Sequence, residues 1–254
     1  MWPFKRRKPK RVPALFLHIQ KTAGSALLDA IWPHYGASMI THGDFIGHPP
    51  ADFKDVMFVS GHFGYDYAKS LMPSRYTFTL LRDPVERVLS YYHYCRSQDN
   101  DKFSTYTLAK QLDLLPFLAA VSEDVLIRKT VWNNQAWQLA RGFGYVYTPG
   151  SRHPETGELQ LDDSAPEEIL SMAISHLEEF SFVGFAETFA ADREVICSGL
   201  GIPSDGGGEL SRSAPPRPRA PDLPAATLEF VRELTRLDQV LYDTAQRRRA
   251  GAAG

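Results

Sequence analysis

Residues 15–25 constrain the fold most, because they join a buried strand to a helix through a turn of small residues. Residues 15–19 read LFLHI, an apolar run typical of a strand inside a parallel sheet, and residues 26–32 have the composition of a helix. In the KTAGS turn between them, Gly24 allows close backbone approach to a ligand, and Lys21 adds a charge beside a helix start. This combination suits a bound phosphate group.

The order of residues in this turn differs from that of a Walker-type phosphate loop, in which the lysine follows the last glycine. Here Lys21 precedes Gly24. Ordinary turns between strands and helices also contain Gly, Ser and Thr, so the segment alone is equally consistent with a turn that binds nothing. In that interpretation Lys21 is a solvated surface lysine.

Length and composition favour one large domain. The chain has 254 residues and is 43% hydrophobic, which is enough for a substantial core. We predict a basic, disordered tail over residues 1–13, a single α/β domain over 14–248 and a disordered end over 249–254. Within the domain, residues 201–224 are rich in Gly, Pro and Ser and are predicted to form a flexible loop.

Cysteine and histidine usage indicates a reducing location and gives no sign of a metal site. Cys95 and Cys197 show neither metal-ligand spacing nor a disulfide framework. His34, His42 and His48 lie in a turn-rich stretch without regular spacing, so we interpret them as loop histidines. No run approaches the roughly 20 apolar residues of a membrane span, and no signal-peptide core follows the basic start. We therefore expect a soluble, cytoplasmic protein.

The formal net charge of −2 hides an asymmetry between the tail and the body. Residues 1–11 carry six of the 28 basic side chains and no acid, which leaves 22 basic against 30 acidic residues elsewhere. That balance argues against nucleic-acid binding. The tail, with Trp2 and Phe4, could contact an anionic membrane surface at about 1 kcal/mol per basic residue, or it could simply be a disordered solubilising segment.

Two further apolar runs each lead into candidate functional residues. Residues 55–62 are predicted to form a second strand that places His62 at its C-terminal end, and residues 76–81 a third strand that runs into Arg82. The helix that follows has Asp83 as its predicted N-cap, with Pro84 in the first turn and Glu86 completing a capping box.

Arg82 and Ser90 together suggest a second anion site. Arg82 projects from a strand end, and Ser90 lies two turns inside the helix that follows. Because ligands of open α/β sheets bind at the C-terminal strand edge, an arginine and a hydroxyl at this place could hold a second phosphate.

The two segments together resemble the nucleotide-binding signatures of sulfotransferases that use 3′-phosphoadenosine 5′-phosphosulfate (PAPS). The first signature is the strand-KTAGS-helix segment, and the second is LRDPVERVLSYY over residues 81–92. The sequences HIQKTAGS and TLLRDPV resemble most closely the carbohydrate branch, which includes the heparan sulfate 2-O- and 6-O-sulfotransferases. The pair is specific, whereas either segment alone would be weak.

The resemblance implies a P-loop-like sulfotransferase fold, with a central, mainly parallel sheet flanked by helices. It also implies PAPS as donor, a carbohydrate or other hydroxylated molecule as acceptor, and no metal. In the family the first motif binds the 5′-phosphosulfate and the second binds the 3′-phosphate. The implied donor-binding residues are Lys21, Thr22, Ala23, Gly24, Ser25, Arg82 and Ser90.

Weaker similarities cover much of the remaining chain. The segment WNNQAWQL (132–139) resembles an Asn/Gln-containing segment of the family, although Trp132 and Trp137 suit core packing. A Gly-Phe-x-Glu segment within 182–189 also recurs, without an assigned catalytic role. The polar loop 142–163 is predicted to be a lid or acceptor-binding element. In the family a loop near 201–224 often closes over the nucleotide, for which the candidate residues are Arg212, Arg217 and Arg219.

His62 and Lys21 are the predicted catalytic residues, with His62 as general base and Lys21 stabilising the leaving phosphate. An unperturbed histidine pKa near 6.5 would suit proton transfer around neutrality. His18, interpreted as a satisfied core histidine within the first strand, and His93 on the helix after Arg82 are competitors. His62 could also simply hold the turn in which it lies.

Two other functions remain open from the sequence. A small-molecule kinase would use a phosphate loop, but it is opposed by the missing Walker order and by a 3′-phosphate site that nucleoside triphosphates would not use. A catalytically silent glycan- or nucleotide-binding module would keep the fold and transfer nothing.

Overall fold

The computed structural model describes residues 11–142, 165–204 and 219–252. They form an α/β domain around a parallel sheet in the order β2-β3-β1-β4-β5. The strands are β1 (Ala14–Leu17), β2 (Met39–Ile40), β3 (Phe58–Gly61), β4 (Tyr76–Leu81) and β5 (Phe182–Phe185). The predicted fold class, a central parallel sheet flanked by helices, is confirmed.

Helices connect the strands and cover the sheet. The described α-helices are α1 (Gly24–Tyr35), α2 (Tyr65–Lys69), α3 (Pro84–Arg96), α4 (Ser104–Gln111), α5 (Leu114–Ala119), α6 (Val125–Val131), α7 (Asn134–Ala140), α8 (Pro166–His176), α9 (Phe189–Gly199), α10 (Ala225–Leu234) and α11 (Arg236–Ala252). None in the described part of the chain is both long and apolar enough to cross a bilayer.

The central strand β1 separates two hydrophobic cores. Leu15 and Leu17 point into a core shared with α7, α8 and α11, and Phe16 points into a second core shared with α1 and α9. Successive side chains of a strand face opposite sides of the sheet, so both faces are covered. This double burial is why the strand has a continuous apolar run and no alternation of polar residues.

The structure corrects several predicted boundaries. β1 ends at Leu17, so His18 lies just beyond the strand and not within it. β2 falls in the turn-rich stretch that contains His34, His42 and His48, where no strand is predicted. The apolar residues of 225–248 recur at three- and four-residue spacing, which predicts one final helix. The structure instead has two helices that break at Thr235. The second of them continues through Ala252, into the segment predicted to be a disordered end.

Asn133, from elsewhere in the chain, explains the break between α10 and α11. The N–H of Asn133 donates to the carbonyl of Leu234 at 3.0 Å, and its side-chain oxygen accepts from the N–H of Leu237 at 2.9 Å. Asn133 thus satisfies backbone groups on both sides of the junction, and it adopts a left-handed φ of 43° to do so. Hydrophobic periodicity cannot show such a partner.

Three predicted features fall largely outside the described residues. They are the basic tail, of which only residues 11–13 are described, the lid or acceptor loop beyond Gly142, and most of the predicted flexible loop, including Arg212 and Arg217. Arg219, from the end of that loop, is described.

Candidate active site

The turn between β1 and α1 has an unusual backbone that is held by its own side chains. Lys21 and Ala23 both have positive φ, 69° and 71°. Thr22 is buried, and its hydroxyl donates to the carbonyl of Ile19 at 2.8 Å. The Thr22 hydroxyl therefore serves the turn, and a contribution of Thr22 to a ligand would come from its backbone N–H.

Helix α1 begins at Gly24 without an acidic residue in its first turn, so the positive end of its dipole is not neutralised there. Ser25 is exposed in that turn. The imidazole of His18 occupies the space beside Gly24. A Cβ added to Gly24 would lie only 2.0 Å from Nε2 of His18. The turn thus packs directly on His18, which adds a second reason for glycine at this position.

The two sequence motifs meet in the structure. Nη1 of Arg82 donates to the carbonyl of Lys21 at 3.1 Å, and Nζ of Lys21 lies 4.1 Å from the centroid of the Tyr94 ring on α3. The basic side chains of the first and second motifs therefore lie at the same C-terminal edge of the sheet, as predicted from the parallel arrangement of β1 and β4.

Gln135 binds the backbone of Arg82, and Glu86 lies beside its guanidinium group. The side chain of Gln135 accepts from the Arg82 N–H at 3.0 Å and donates to its carbonyl at 2.9 Å. Nη2 of Arg82 lies 3.8 Å from Glu86, whose other oxygen accepts from Nε of Arg219 and from the N–H of Ala220, both at 3.0 Å. Glu86 therefore lies between two arginines.

The pKa of Glu86 reflects this position. Burial alone would raise the pKa, but the Ala220 N–H, Arg219 and Arg82 outweigh burial and hold the pKa below its ordinary value. Glu86 is thus a carboxylate that balances the charge of the two arginines. The sequence pattern predicts for Glu86 only a role in a capping box.

The start of α3 confirms half of that capping box. Oδ1 of Asp83 accepts from the N–H of Glu86 at 2.9 Å, as an N-cap does. The reciprocal bond is replaced, because the N–H of Asp83 donates to Glu187 at 2.9 Å. Ser90 is buried two turns further along α3. Through its bond to the Asp83 N–H, Glu187 of the Gly-Phe-x-Glu segment helps to position the start of α3, the helix that carries Ser90.

Three imidazoles form a cluster beside the turn between β1 and α1. The ring of His62 lies 4.5 Å from that of His18, and the ring of His42 lies 5.5 and 5.6 Å from the other two. The Nδ1–H of His62 donates to the carbonyl of His18 at 2.7 Å, which leaves Nε2 of His62 as its basic nitrogen. Within the described residues, no group of three or more His, Cys, Asp or Glu side chains is arranged to hold a metal ion.

The cluster changes the interpretation of two histidines. His18 is buried, but its Nδ1 has no hydrogen-bond partner among the described residues, so the prediction of a satisfied core histidine is wrong. His42, interpreted as a loop residue, is exposed at the edge of the cluster, and its carbonyl accepts from the N–H of His62 at 3.0 Å. His93 lies in the last turn of α3 with its ring against Tyr92.

Burial lowers the pKa of His62 to about 4, and electrostatic interaction with His42, Lys129 and Lys21 acts in the same direction. The hydrogen bond to the His18 carbonyl opposes the shift only in part. The expected pKa near 6.5 is therefore replaced by one at which His62 is neutral at pH 7. Lys129, which the sequence did not single out, is itself buried, and burial lowers its pKa to about 7.

The lowered pKa predicts acid destabilisation. Below about pH 6.5 the unfolded chain protonates His62 while the folded protein does not, so stability falls as the pH drops toward 4. The loss from His62 amounts to roughly 3 kcal/mol at most. Urea denaturation at pH 7.5, 5.5 and 4.5 measures it. We expect the stability of His62→Gln to fall less between pH 7.5 and pH 4.5 than that of the wild type. The control His48→Gln, at an exposed histidine, should lose as much stability as the wild type. An unchanged loss in His62→Gln would contradict the lowered pKa of His62.

Helix α7 ties the ends of three strands together through two glutamines. Besides the contact of Gln135 with Arg82, the side chain of Gln138 donates to the carbonyls of His18 at 3.2 Å and Phe63 at 2.8 Å. Both amides are buried, and their spacing of three residues puts them on one helix face. The WNNQAWQL segment thus supports the site, and its Trp137 is buried in the core as predicted.

No family model matches the chain, and no curated protein sequence matches it. Among solved structures, the crystal structure of a sulfotransferase from Alicyclobacillus acidocaldarius is similar, with a TM-score of 0.46 and 13% sequence identity. The alignment covers 90% of this chain and 93% of that one.

Proposed function

We propose that the protein is a PAPS-dependent sulfotransferase that transfers a sulfuryl group to a hydroxyl of a carbohydrate. The observation that carries the proposal is the contact of Arg82 with the carbonyl of Lys21, at 3.1 Å. It brings together the two segments that would bind the two phosphate-bearing ends of the donor. His62 lies at the same edge, joined to the loop after β1 through the His18 carbonyl.

The turn between β1 and α1, here called the donor turn (residues 18–23), suits the 5′-phosphosulfate. Lys21 supplies a full positive charge, and the start of α1 supplies unpaired N–H groups and the positive end of a helix dipole. Arg82 and Ser90 suit the 3′-phosphate, and Arg219 contacts the same carboxylate, Glu86, as Arg82 does. In the free protein Glu86 balances this second set of charges, so a 3′-phosphate would compete with a carboxylate for the two arginines.

The reaction that these groups support is an in-line displacement at sulfur. The acceptor oxygen forms a bond to sulfur while the bond between sulfur and the 5′-phosphate oxygen breaks. Nε2 of His62 takes the proton of the acceptor hydroxyl, and the ammonium of Lys21 stabilises the charge on the departing phosphate. An anionic donor nearby would raise the pKa of His62 from about 4 and make it a stronger base.

The acceptor side is proposed to lie next to His62. A Cβ on Gly64 would lie 2.1 Å from the Cα of Gly142, and the N–H of Asp66 donates to the Arg141 carbonyl at 2.9 Å. The loop after His62 is therefore anchored where the predicted acceptor segment begins. The choice of a carbohydrate follows from the resemblance of HIQKTAGS and TLLRDPV to the carbohydrate branch.

Transfer from sulfur-labelled PAPS to glycans, lipids and phenols tests this proposal. We expect the full-length protein to label a glycan. Labelled lipid or phenol alone would overturn the carbohydrate assignment. Donor binding without labelling in any class would favour a silent binding module, and phosphate transfer from ATP would favour a kinase; either result would overturn the proposed reaction.

Arg82→Ala is predicted to weaken binding of 3′-phosphoadenosine 5′-phosphate by at least about tenfold, because a charge-assisted hydrogen bond contributes roughly 1.5–3 kcal/mol. The affinity for adenosine 5′-monophosphate, which lacks the 3′-phosphate, should change little. Calorimetry measures both, with Arg96→Ala at the far end of α3 as a matched loss of charge. Equal losses for the two nucleotides would exclude a 3′-phosphate contact by Arg82.

A further inference from the structure

Helix α3 presents a third residue toward the donor site. Glu86, Ser90 and Tyr94 follow one another at four-residue spacing, so they lie along one face of the helix. The first contacts Arg82 and Arg219, and the second is the proposed hydroxyl partner of the 3′-phosphate. Tyr94 is an exposed aromatic residue at the far end of this face, with 39% of its surface accessible. No role for Tyr94 follows from the sequence motifs.

The ring of Tyr94 contacts the one side chain on which the proposed reaction most depends. Nζ of Lys21 lies 4.1 Å from the ring centroid, well within the range of a cation–π interaction. A lysine side chain has four rotatable bonds and loses much conformational freedom when its ammonium is fixed. The Tyr94 ring restricts that freedom before any donor arrives.

The Tyr94 ring is itself held in place by α4. Its hydroxyl lies 3.4 Å from the hydroxyl of Tyr106, and the two rings meet edge to face with centroids 6.0 Å apart. Tyr106 is buried, and its ring packs edge to face against Phe103 at 5.2 Å. The contact between Tyr94 and Lys21 thus rests on a packed aromatic group and not on a freely rotating side chain.

We propose that Tyr94 is a positioning residue, whose ring holds the ammonium of Lys21 at the donor turn so that less ordering is needed in the transition state. The inference rests on the proposed role of Lys21 in sulfuryl transfer. It assigns the effect to the face of the ring, so phenylalanine should replace Tyr94 and leucine should not. It also places the effect in turnover and not in nucleotide affinity, because Lys21 acts on charge that develops during the reaction.

A double-mutant cycle tests the proposal. We expect Tyr94→Leu to lower kcat about five- to twentyfold, while its affinity for 3′-phosphoadenosine 5′-phosphate stays within about twofold of wild type. Tyr94→Phe keeps the aromatic ring and should have a kcat close to that of the wild type. In a Lys21→Ala background Tyr94→Leu should have no further effect, because its partner is gone. Equal losses in both backgrounds would show a general structural role and overturn the proposal.

An NMR measurement tests the contact without turnover. The ε-methylene signals of Lys21, identified by their loss in Lys21→Ala, should be shifted upfield by the Tyr94 ring in wild type and in Tyr94→Phe, and not in Tyr94→Leu. Absence of the upfield shift in wild type would overturn the contact. Normal turnover of Lys21→Ala would instead overturn the proposed function, whereas impaired Lys21→Ala beside normal Tyr94→Leu would overturn this inference alone.

Discussion

Lys21→Ala is expected to lower turnover by about 10²–10³-fold, the usual cost of removing one group that stabilises charge in a transition state. Lys21 lies in the turn after β1, where its carbonyl accepts a hydrogen bond from Arg82 and its ammonium lies over the Tyr94 ring. Its main contribution should be to the departing phosphate, so the affinity for 3′-phosphoadenosine 5′-phosphate should fall far less than kcat.

Two further variants make this result specific. Lys21→Arg keeps the charge but changes its shape and should recover part of the lost rate. Lys54→Ala removes an exposed lysine far from the turn and should leave turnover unchanged. Wild-type turnover in Lys21→Ala would exclude the catalytic role and favour a solvated surface lysine.

The second large effect is expected at His62, where removing a positioned base should lower turnover roughly 10²–10⁴-fold. His62→Gln is the sharpest variant, because its amide can still donate to the His18 carbonyl that now accepts from Nδ1 at 2.7 Å. Folding and nucleotide binding should therefore be retained. The acceptor proton would have no nitrogen base to receive it.

The competing histidines provide the controls. His93→Gln, in the last turn of α3, should leave turnover near the wild-type value. Because burial lowers the pKa of His62 to about 4, kcat/KM of the wild type should stay level from neutral pH down to about pH 5 and fall below that. Near-normal turnover of His62→Gln, together with a large loss of turnover in His93→Gln, would contradict this assignment and indicate that His93 on α3 is the general base.

The strands and the start of α3 could be predicted because their signals are local. The apolar runs around Phe16, Phe58 and Tyr76 all form strands, and Asp83 caps the helix that begins at Pro84. The break at Thr235 could not be predicted, because Asn133 satisfies the backbone on both sides from about a hundred residues away. β2 has only two residues, which is too short for a periodic signal.

The common location of the candidate residues could be predicted, but their contacts could not. Lys21, His62 and Arg82 follow strands that proved to be parallel neighbours, so one sheet edge had to bring them together. The balance of Arg82 by Glu86 and the contact of Lys21 with Tyr94 depend on pairs brought together only by folding. The lowered pKa of His62 depends on burial, which strand-end position alone does not reveal.

A single calorimetric comparison tests the central claim most directly. 3′-Phosphoadenosine 5′-phosphate and adenosine 5′-monophosphate differ only in the 3′-phosphate, which Arg82 and Ser90 are proposed to bind. With a charge-assisted contribution of roughly 1.5–3 kcal/mol, the wild-type protein should bind the 3′-phosphorylated nucleotide at least about tenfold more tightly. Equal affinities for the two nucleotides would contradict the account, because the second motif would then hold no phosphate.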